Sequence, residues 1–278
     1  MILFLHFLKV EKMIKIFSDQ MNRTIRLGST PKRIVSLVPS QTELLYDLGL
    51  GDSVIGITKF CIHPESWYHS KQRIGGTKNA DFEKIKALKP DLIIGNKEEN
   101  ERSDIEALEK IAPVWMSDIF DLKDSLEMIS MLGSLLDIEN KADDLIRKIN
   151  FEFKKLDSYV SVNTNLIKKN AAYFIWKNPN MVAGKNTFID DMIERCGFVN
   201  HTYNERYPIF ELKDNQKLDF IFLSSEPFPF KQKEVDEFQL NYPKSIVKIV
   251  DGEYFSWYGS RLLNAPNYFI KLLKELKN

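Results

Sequence analysis

Cys61 and His63 stand two positions apart in Lys59-Phe60-Cys61-Ile62-His63, and such a pair can begin a metal site. Two ligands fall short of a closed site, since structural zinc takes four. His6, His69 and His201 keep no regular spacing to the pair, so no functional metal centre is expected. Ser40 follows Val38-Pro39 at a sharp polar corner, where a nucleophile or a phosphate cradle could sit. That corner lacks the small neighbours of a nucleophile elbow. The chain also holds no Gly-rich phosphate loop, no Gly-x-Ser-x-Gly and no His-Glu-x-x-His, so no catalytic residue is expected. What remains is holding chemistry. Phe60, Trp176, Tyr207 and Trp257 are rings that give contact area at low entropic cost. Lys59, Lys177, Arg206 and Arg261 are cations in the same loops, and Glu226 adds a carboxylate.

Those residues need elements that bring their loops to one place. Ile34 to Val38 is apolar and β-branched, which reads as a buried strand. Ser40-Gln41-Thr42-Glu43 fits a capping box, Leu44, Leu45 and Leu48 make an apolar helical face, and Gly49 suits the position after the last turn. Strands then recur at Val54 to Thr58, Asp91 to Gly95 and Val114 to Met116, with helical patterns at Phe82 to Lys89 and Glu99 to Ile111. This alternation predicts a parallel sheet covered on both faces. It breaks where Leu122 to Leu136 and Lys141 to Tyr159 read as successive helices, and it resumes from Ala171. The later strands are Ala171 to Trp176, Leu218 to Leu223 and Ile246 to Val250, with helices at Phe188 to Arg195, Lys233 to Gln239 and Tyr268 to Leu276.

The two alternating stretches share a register. Phe82-Glu83 precedes Asp91 at the start of one strand, and Phe210-Glu211 precedes Asp219 at the start of another, at the same offset. The expected fold class is α/β: two similar Rossmann-like lobes joined by a long helix. The boundaries are residues 1–138 for the first lobe with an N-terminal hairpin, 139–162 for the linker helix and 163–278 for the second lobe. A continuous helix between lobes limits their motion, because bending it breaks its hydrogen-bond ladder. In such a sheet ligands lie beyond the carboxyl ends of the strands, which places the rings and cations above in one cleft.

Composition argues against a nucleic-acid sleeve or an acidic-substrate trap, without excluding local patches. Of 278 residues, 39 are Lys or Arg and 39 are Asp or Glu, so the one-signed field that nucleic acid demands is missing. The two cysteines, Cys61 and Cys196, lie in opposite halves and are expected as unpaired buried thiols. The apolar run Ile2 to Leu8 is shorter than a membrane span and has neither a preceding basic residue nor a small-residue cleavage site. The expectation is a start codon placed too early, with Met13 as the natural start; a degenerate export signal is the alternative.

The pieces "RIVSLVPSQTELLYDLG", "VIGITKFCIHP", "IGGTKN" followed by "LKPDLIIG", "SSEPFPF" and "DGEYFSWYGSRL" together resemble the helical-backbone (class III) substrate-binding proteins of ABC importers, in their cobalamin-binding branch. The resemblance runs from about Pro31 to the end. It implies a monomeric, non-enzymatic protein with no intrinsic cofactor that grips a corrinoid such as cobalamin or cobinamide between its lobes. By resemblance the ring positions Phe60, Trp176, Tyr207 and Trp257 contact that ligand; Ser40, Lys59 and Arg261, from loops at the same strand ends, complete the expected ligand-binding set. The resemblance further implies an ABC permease as partner, met by one surface glutamate per lobe, Glu83 and Glu211, and a periplasmic or exported location. Haem or a ferric siderophore is the alternative ligand, and a cytoplasmic corrinoid carrier or sensor the alternative role. "IGGTKN" lacks an aromatic that some cobalamin binders carry nearby.

Overall fold

A computed structural model describes residues 14–163, 168–210 and 217–277. The apolar run at the N-terminus and Glu211 lie outside the described residues. The first described elements are a hairpin of β1 (Lys15–Ser18) and β2 (Thr24–Leu27). Buried Asp19 fastens this hairpin to the body by accepting the backbone N–H of Met116 at 3.1 Å.

The N-terminal lobe contains β3 (Ile34–Ser36), α1 (Pro39–Asp47), β4 (Val54–Ile57), α2 (Glu65–Ser70), β5 (Gln72–Arg73), α3 (Phe82–Leu88), β6 (Leu92–Asn96), α4 (Arg102–Leu108) and β7 (Val114–Ser117). Its sheet is parallel throughout, in the order β5-β4-β3-β6-β7. Next come α5 (Leu122–Leu135) and the 24-residue α6 (Glu139–Val162). The C-terminal lobe follows with β8 (Asn170–Trp176), β9 (Met181–Val182), α7 (Phe188–Arg195), β10 (Val199–Asn200), β11 (Phe220–Ser224), α8 (Gln232–Asn241) and β12 (Ile246–Val250). Its strand order is β10-β8-β11-β12, parallel except for short β9 against β8. The chain ends with α9 (Gly252–Ser256), a 3-10 turn at Ser260–Leu263, and α10 (Ala265–Glu275).

Both sheets are buried on two faces, as continuous apolar strands require. In β6, Leu92 and Ile94 enter one core while Ile93 enters another; in β11, Phe220 and Phe222 part from Ile221 and Leu223 in the same way. The inner faces of the two sheets join a single core through Ala142, Ile149, Phe153 and Leu156 of α6. These residues recur at helical spacing, so one stripe of α6 holds both lobes. The shared register of Asp91 and Asp219 has a structural meaning. The Asp91 carboxylate accepts the N–H groups of Lys32 and Arg33, both at 2.8 Å, and the Asp219 carboxylate accepts the N–H of Asn170 at 3.0 Å. Each aspartate secures the entrance of the neighbouring central strand.

Two local expectations are corrected. Ser40 does not cap α1: the helix begins at Pro39, with Val38 as its extended N-cap. Proline has φ preset and no N–H to leave unpaired, so it suits the first helical position, and Ser40 falls inside the first turn. The Glu43 carboxylate turns away toward a guanidinium instead of back to Ser40. The helix expected from Glu99 begins only at Arg102. The Asn96 side chain accepts the N–H groups of Glu98 (2.8 Å) and Glu99 (3.1 Å), while Asn100 Oδ1 accepts the Asn96 N–H (2.9 Å). An asparagine closing its own turn competes with helix formation. Gly49 has φ 78°, the left-handed geometry expected after a helix end.

Candidate functional site

In each lobe the strand order reverses about the first central strand, between β3 and β6 and between β8 and β11. Chains leave a sheet in opposite directions at such a point, and a crevice opens beyond the carboxyl ends. The crevice of the N-terminal lobe is edged by Ser40 after β3 and by Glu98 and Glu99 after β6. That of the C-terminal lobe is edged by Lys177 after β8 and Glu226 after β11.

The expected rings divide into exposed and buried ones. Phe60, after β4, is 50% exposed, and Trp176, at the end of β8, is 41% exposed with Phe228 edge-on to its ring. The Lys59 ammonium lies 5.0 Å from the centre of the Phe60 ring. Sequence reasoning passed over Phe120 and Ile62, exposed side chains in the loops after β7 and β4. Trp257 is only 7% exposed. Its indole N–H donates to Glu226 Oε1 at 2.9 Å, and the Arg261 guanidinium lies 4.5 Å from its ring centre. Tyr207 is half-buried and faces Glu98; burial first and that carboxylate second push its phenol well above the ordinary range.

The cations are already engaged. Arg261 makes two hydrogen bonds to Glu43 of α1, at 2.9 and 2.6 Å, and its Nη1 lies 2.5 Å from Glu253 Oε2 of α9. His63 Nε2 lies 3.3 Å from the other Glu253 oxygen. Gly259, at φ 119°, lets the chain beside Arg261 approach α1 closely: a Cβ there would stand 3.3 Å from Leu44 Cβ and 3.4 Å from the Ser40 carbonyl. Arg206 lies 3.8 Å from Glu98 and over the Phe120 ring, while donating to the Asn186 carbonyl at 3.1 Å. Lys177 is held by Glu234 and Glu237 of α8. The convergent cationic patch that an anionic siderophore would want is thus neutralised, apart from Lys59 at the rim.

The carboxylates are the residues the sequence reading underweighted. Glu226 accepts from Ser256 Oγ (2.8 Å) and Trp257, and makes no ion pair among the described residues. Burial raises its pKa, and Glu253 and Asp251 add to the rise. Burial, then Glu98, then Glu226 of the opposite lobe push Glu99 up to about 7. A groove of about 580 Å³ runs between Ile62 and the C-terminal lobe residues Ser225, Glu226, Asp251 and Glu253. Cys61 and His63 diverge: the Cys61 thiol is buried against Thr42 and Thr58 Oγ1, each at 3.1 Å, while His63 faces Glu253. Glu83 is exposed in the first turn of α3, beside a surface hollow shared with Lys86, Lys89 and Lys110.

The family model described as periplasmic binding protein matches residues 34–227. An uncharacterized ABC transporter substrate-binding lipoprotein, YvrC of Bacillus subtilis (strain 168), is 28% identical over 191 residues, covering 66% of this chain and 60% of that protein. A vitamin B12-binding protein of Vibrio vulnificus (strain CMCP6) is 33% identical over 116 residues, 41% of this chain and 42% of its own length. The chain therefore spans less than two thirds of the length of these curated relatives. Among solved structures, the petrobactin-binding protein YclQ from Bacillus subtilis superposes with a TM-score of 0.77 at 18% identity, covering 96% of this chain and 100% of that one. That likeness is one of fold.

Proposed function

The chain belongs to the periplasmic binding protein family, and from that premise we propose that it is the substrate-binding component of an ABC importer with a corrinoid as its cargo. It holds the guest between the lobes and hands it unchanged to a membrane permease. The observation that carries this reading is the placing of exposed rings at the carboxyl ends of strands in both lobes: Phe60 after β4, Phe120 after β7 and Trp176 at the end of β8. Exposed aromatics cost solvation unless something flat covers them, and a corrin ring edged with amides matches rings plus scattered polar groups.

Phe60, Trp176 and Tyr207 contact the guest directly. Trp257 and Arg261 form the packed wall behind it, with Ser40 at the α1 corner and Lys59 at the rim. For docking, Glu83 is an exposed glutamate of the N-terminal lobe, and Glu211 is its counterpart by register. Widely separated carboxylates can orient a partner through charge-assisted pairs with arginines. The work of such a protein lies outside the cytoplasm.

Titration settles the cargo. Cyanocobalamin, cobinamide, haem and a ferric siderophore are added separately, and absorbance and heat are followed. Saturable binding of a corrinoid without conversion is expected. Flat traces for both corrinoids would remove the reading, and saturation by haem or siderophore would replace it.

A further inference from the structure

The charges of the two crevices do not balance. Glu98 and Glu99 stand after β6 and Glu226 after β11, at the reversal points of the two sheets. Arg206 answers Glu98, and Arg261 is claimed by Glu43 and Glu253. Among the described residues Glu99 and Glu226 have no ion-pair partner; Lys78, whose field reaches Glu99, lies 3.8 Å from Glu101. Lys59 is exposed over Phe60 and makes no ion pair among the described residues. The crevice floor therefore carries more negative charge than its cations answer.

A second observation falls at the same place. Tyr258 is 7% exposed, and its hydroxyl makes no hydrogen bond of ordinary geometry among the described residues, its nearest polar neighbour being the Ser40 hydroxyl. That phenol lies in the field of Glu99 and Glu98. Buried polar groups are normally satisfied, so an unsatisfied one beside a binding crevice leaves a place that a guest or a water fills. Burial and neighbouring carboxylates both oppose ionisation of Glu99, and each is relieved by a positive charge placed between the lobes.

We infer that Glu99 and Glu226 select a guest of net positive charge, so that among corrinoids the cationic form is preferred to the neutral one and anionic chelates are rejected. This rests on the corrinoid reading above and adds the charge of the cargo to it. A ring whose metal keeps exchangeable water ligands carries its positive charge at the centre, where the field of both carboxylates favours it. A polycarboxylate chelate meets the same floor as repulsion.

The test uses one ring in two charge states. Diaquacobinamide and dicyanocobinamide share the corrin scaffold, the first cationic and the second neutral. Dissociation constants for the full chain and for Glu99→Gln, Glu226→Gln and the double variant are measured by calorimetry, with absorbance recorded on the same samples. The expected result is a preference of the native chain for the cation on the order of tenfold or more, from one to two carboxylates in a partly buried setting. The double variant should lose most of that preference, and the neutral form should change by less than about twofold. Glutamine keeps the shape and removes the repulsion, so folding is retained; thermal melts check this, and Glu99→Gln alone serves if Glu226→Gln melts early. Equal binding of both forms by the native chain overturns the inference and leaves the corrinoid reading standing. A preference that survives the double variant, with a shifted cobalt spectrum, overturns it in favour of direct ligation. No binding of either form overturns the corrinoid reading itself.

Discussion

Arg261, in the 3-10 turn after α9, grips Glu43 in the first lobe's α1 with a fork of two hydrogen bonds, Nε to Oε2 at 2.9 Å and Nη2 to Oε1 at 2.6 Å. The third guanidinium nitrogen is held by Glu253. One side chain thus ties a helix of the N-terminal lobe to the last segment of the chain, beside the site. Planar guanidinium suits this task, because its donors match a carboxylate in fixed geometry.

Replacing Arg261 by Ala leaves two half-buried carboxylates without their cation. The expected loss of stability is about 2–4 kcal/mol, as for other broken partly buried pairs. Arg261→Lys keeps the charge but not the fork and should fall between. Urea unfolding of the three proteins decides it, and an alanine variant as stable as the native chain would show that the fork is incidental.

The exposed and buried rings should separate in experiment. Phe60→Ala and Trp176→Ala should leave stability within about 0.5 kcal/mol and weaken corrinoid binding by about 1–3 kcal/mol each. Trp257→Ala should instead cost stability, about 3–5 kcal/mol, because the ring is buried and Glu226 loses a donor. Paired melts and titrations distinguish the two patterns; a Trp176 variant that binds with native affinity would remove that ring from the site.

Glu99 gives stability a signed dependence on pH. It is faced by Glu98 on its own turn, Glu226 from the other lobe, Lys78 at a distance, and the hydroxyls of Tyr207 and Tyr258. Its folded pKa, about 7, lies above the ordinary 4.5. Such a carboxyl favours the folded state while protonated. Its contribution is complete below about 4.5 and is lost as pH rises through about 7. Glu99→Gln should match the native chain near pH 4 and exceed it near pH 8 by about 1–3 kcal/mol. Urea midpoints at the two pH values check this, and a gap that does not change with pH would contradict it.

Neither thiol should react while the chain is folded. Burial raises Cys61, against smaller opposing contributions from Thr42 and Thr58, and burial alone raises Cys196 strongly. The thiolate is the reactive form, so a thiol reagent at neutral pH should label no more than a trace until denaturant is added. Rapid native labelling of Cys61 would show that the β4 loop opens.

Most of the fold was legible because it rests on local pattern. The apolar runs of β3, β6, β8, β11 and β12 marked the strands, and Ala142, Ile149, Phe153 and Leu156 marked the buried stripe of α6. Short strands such as β5, β9 and β10, two or so residues each, carry no period to read. The loops that edge the crevices followed from the rule that ligands lie beyond strand ends. Their chemistry did not follow. Trp257 and Arg261 were expected to face a guest; the structure adds that their polar atoms are taken by Glu226, Glu43 and Glu253, partners 31, 218 and 8 positions away. Glu99 was read as a helix residue, and only the Asn96 turn holds it out at the crevice.

The amino-acid sequence determined the alternation of strands and helices, the long connecting helix and the matched aspartates that open a central strand in each lobe. These depend on periodicity and on hydrogen bonds that each strand entrance needs wherever it lies. Only the tertiary structure decided which charges cancel and which remain. An ion pair depends on distance through space, and bringing the two lobes together set Arg261 on Glu43 and Arg206 on Glu98 while leaving Glu99 and Glu226 without an ion pair among the described residues.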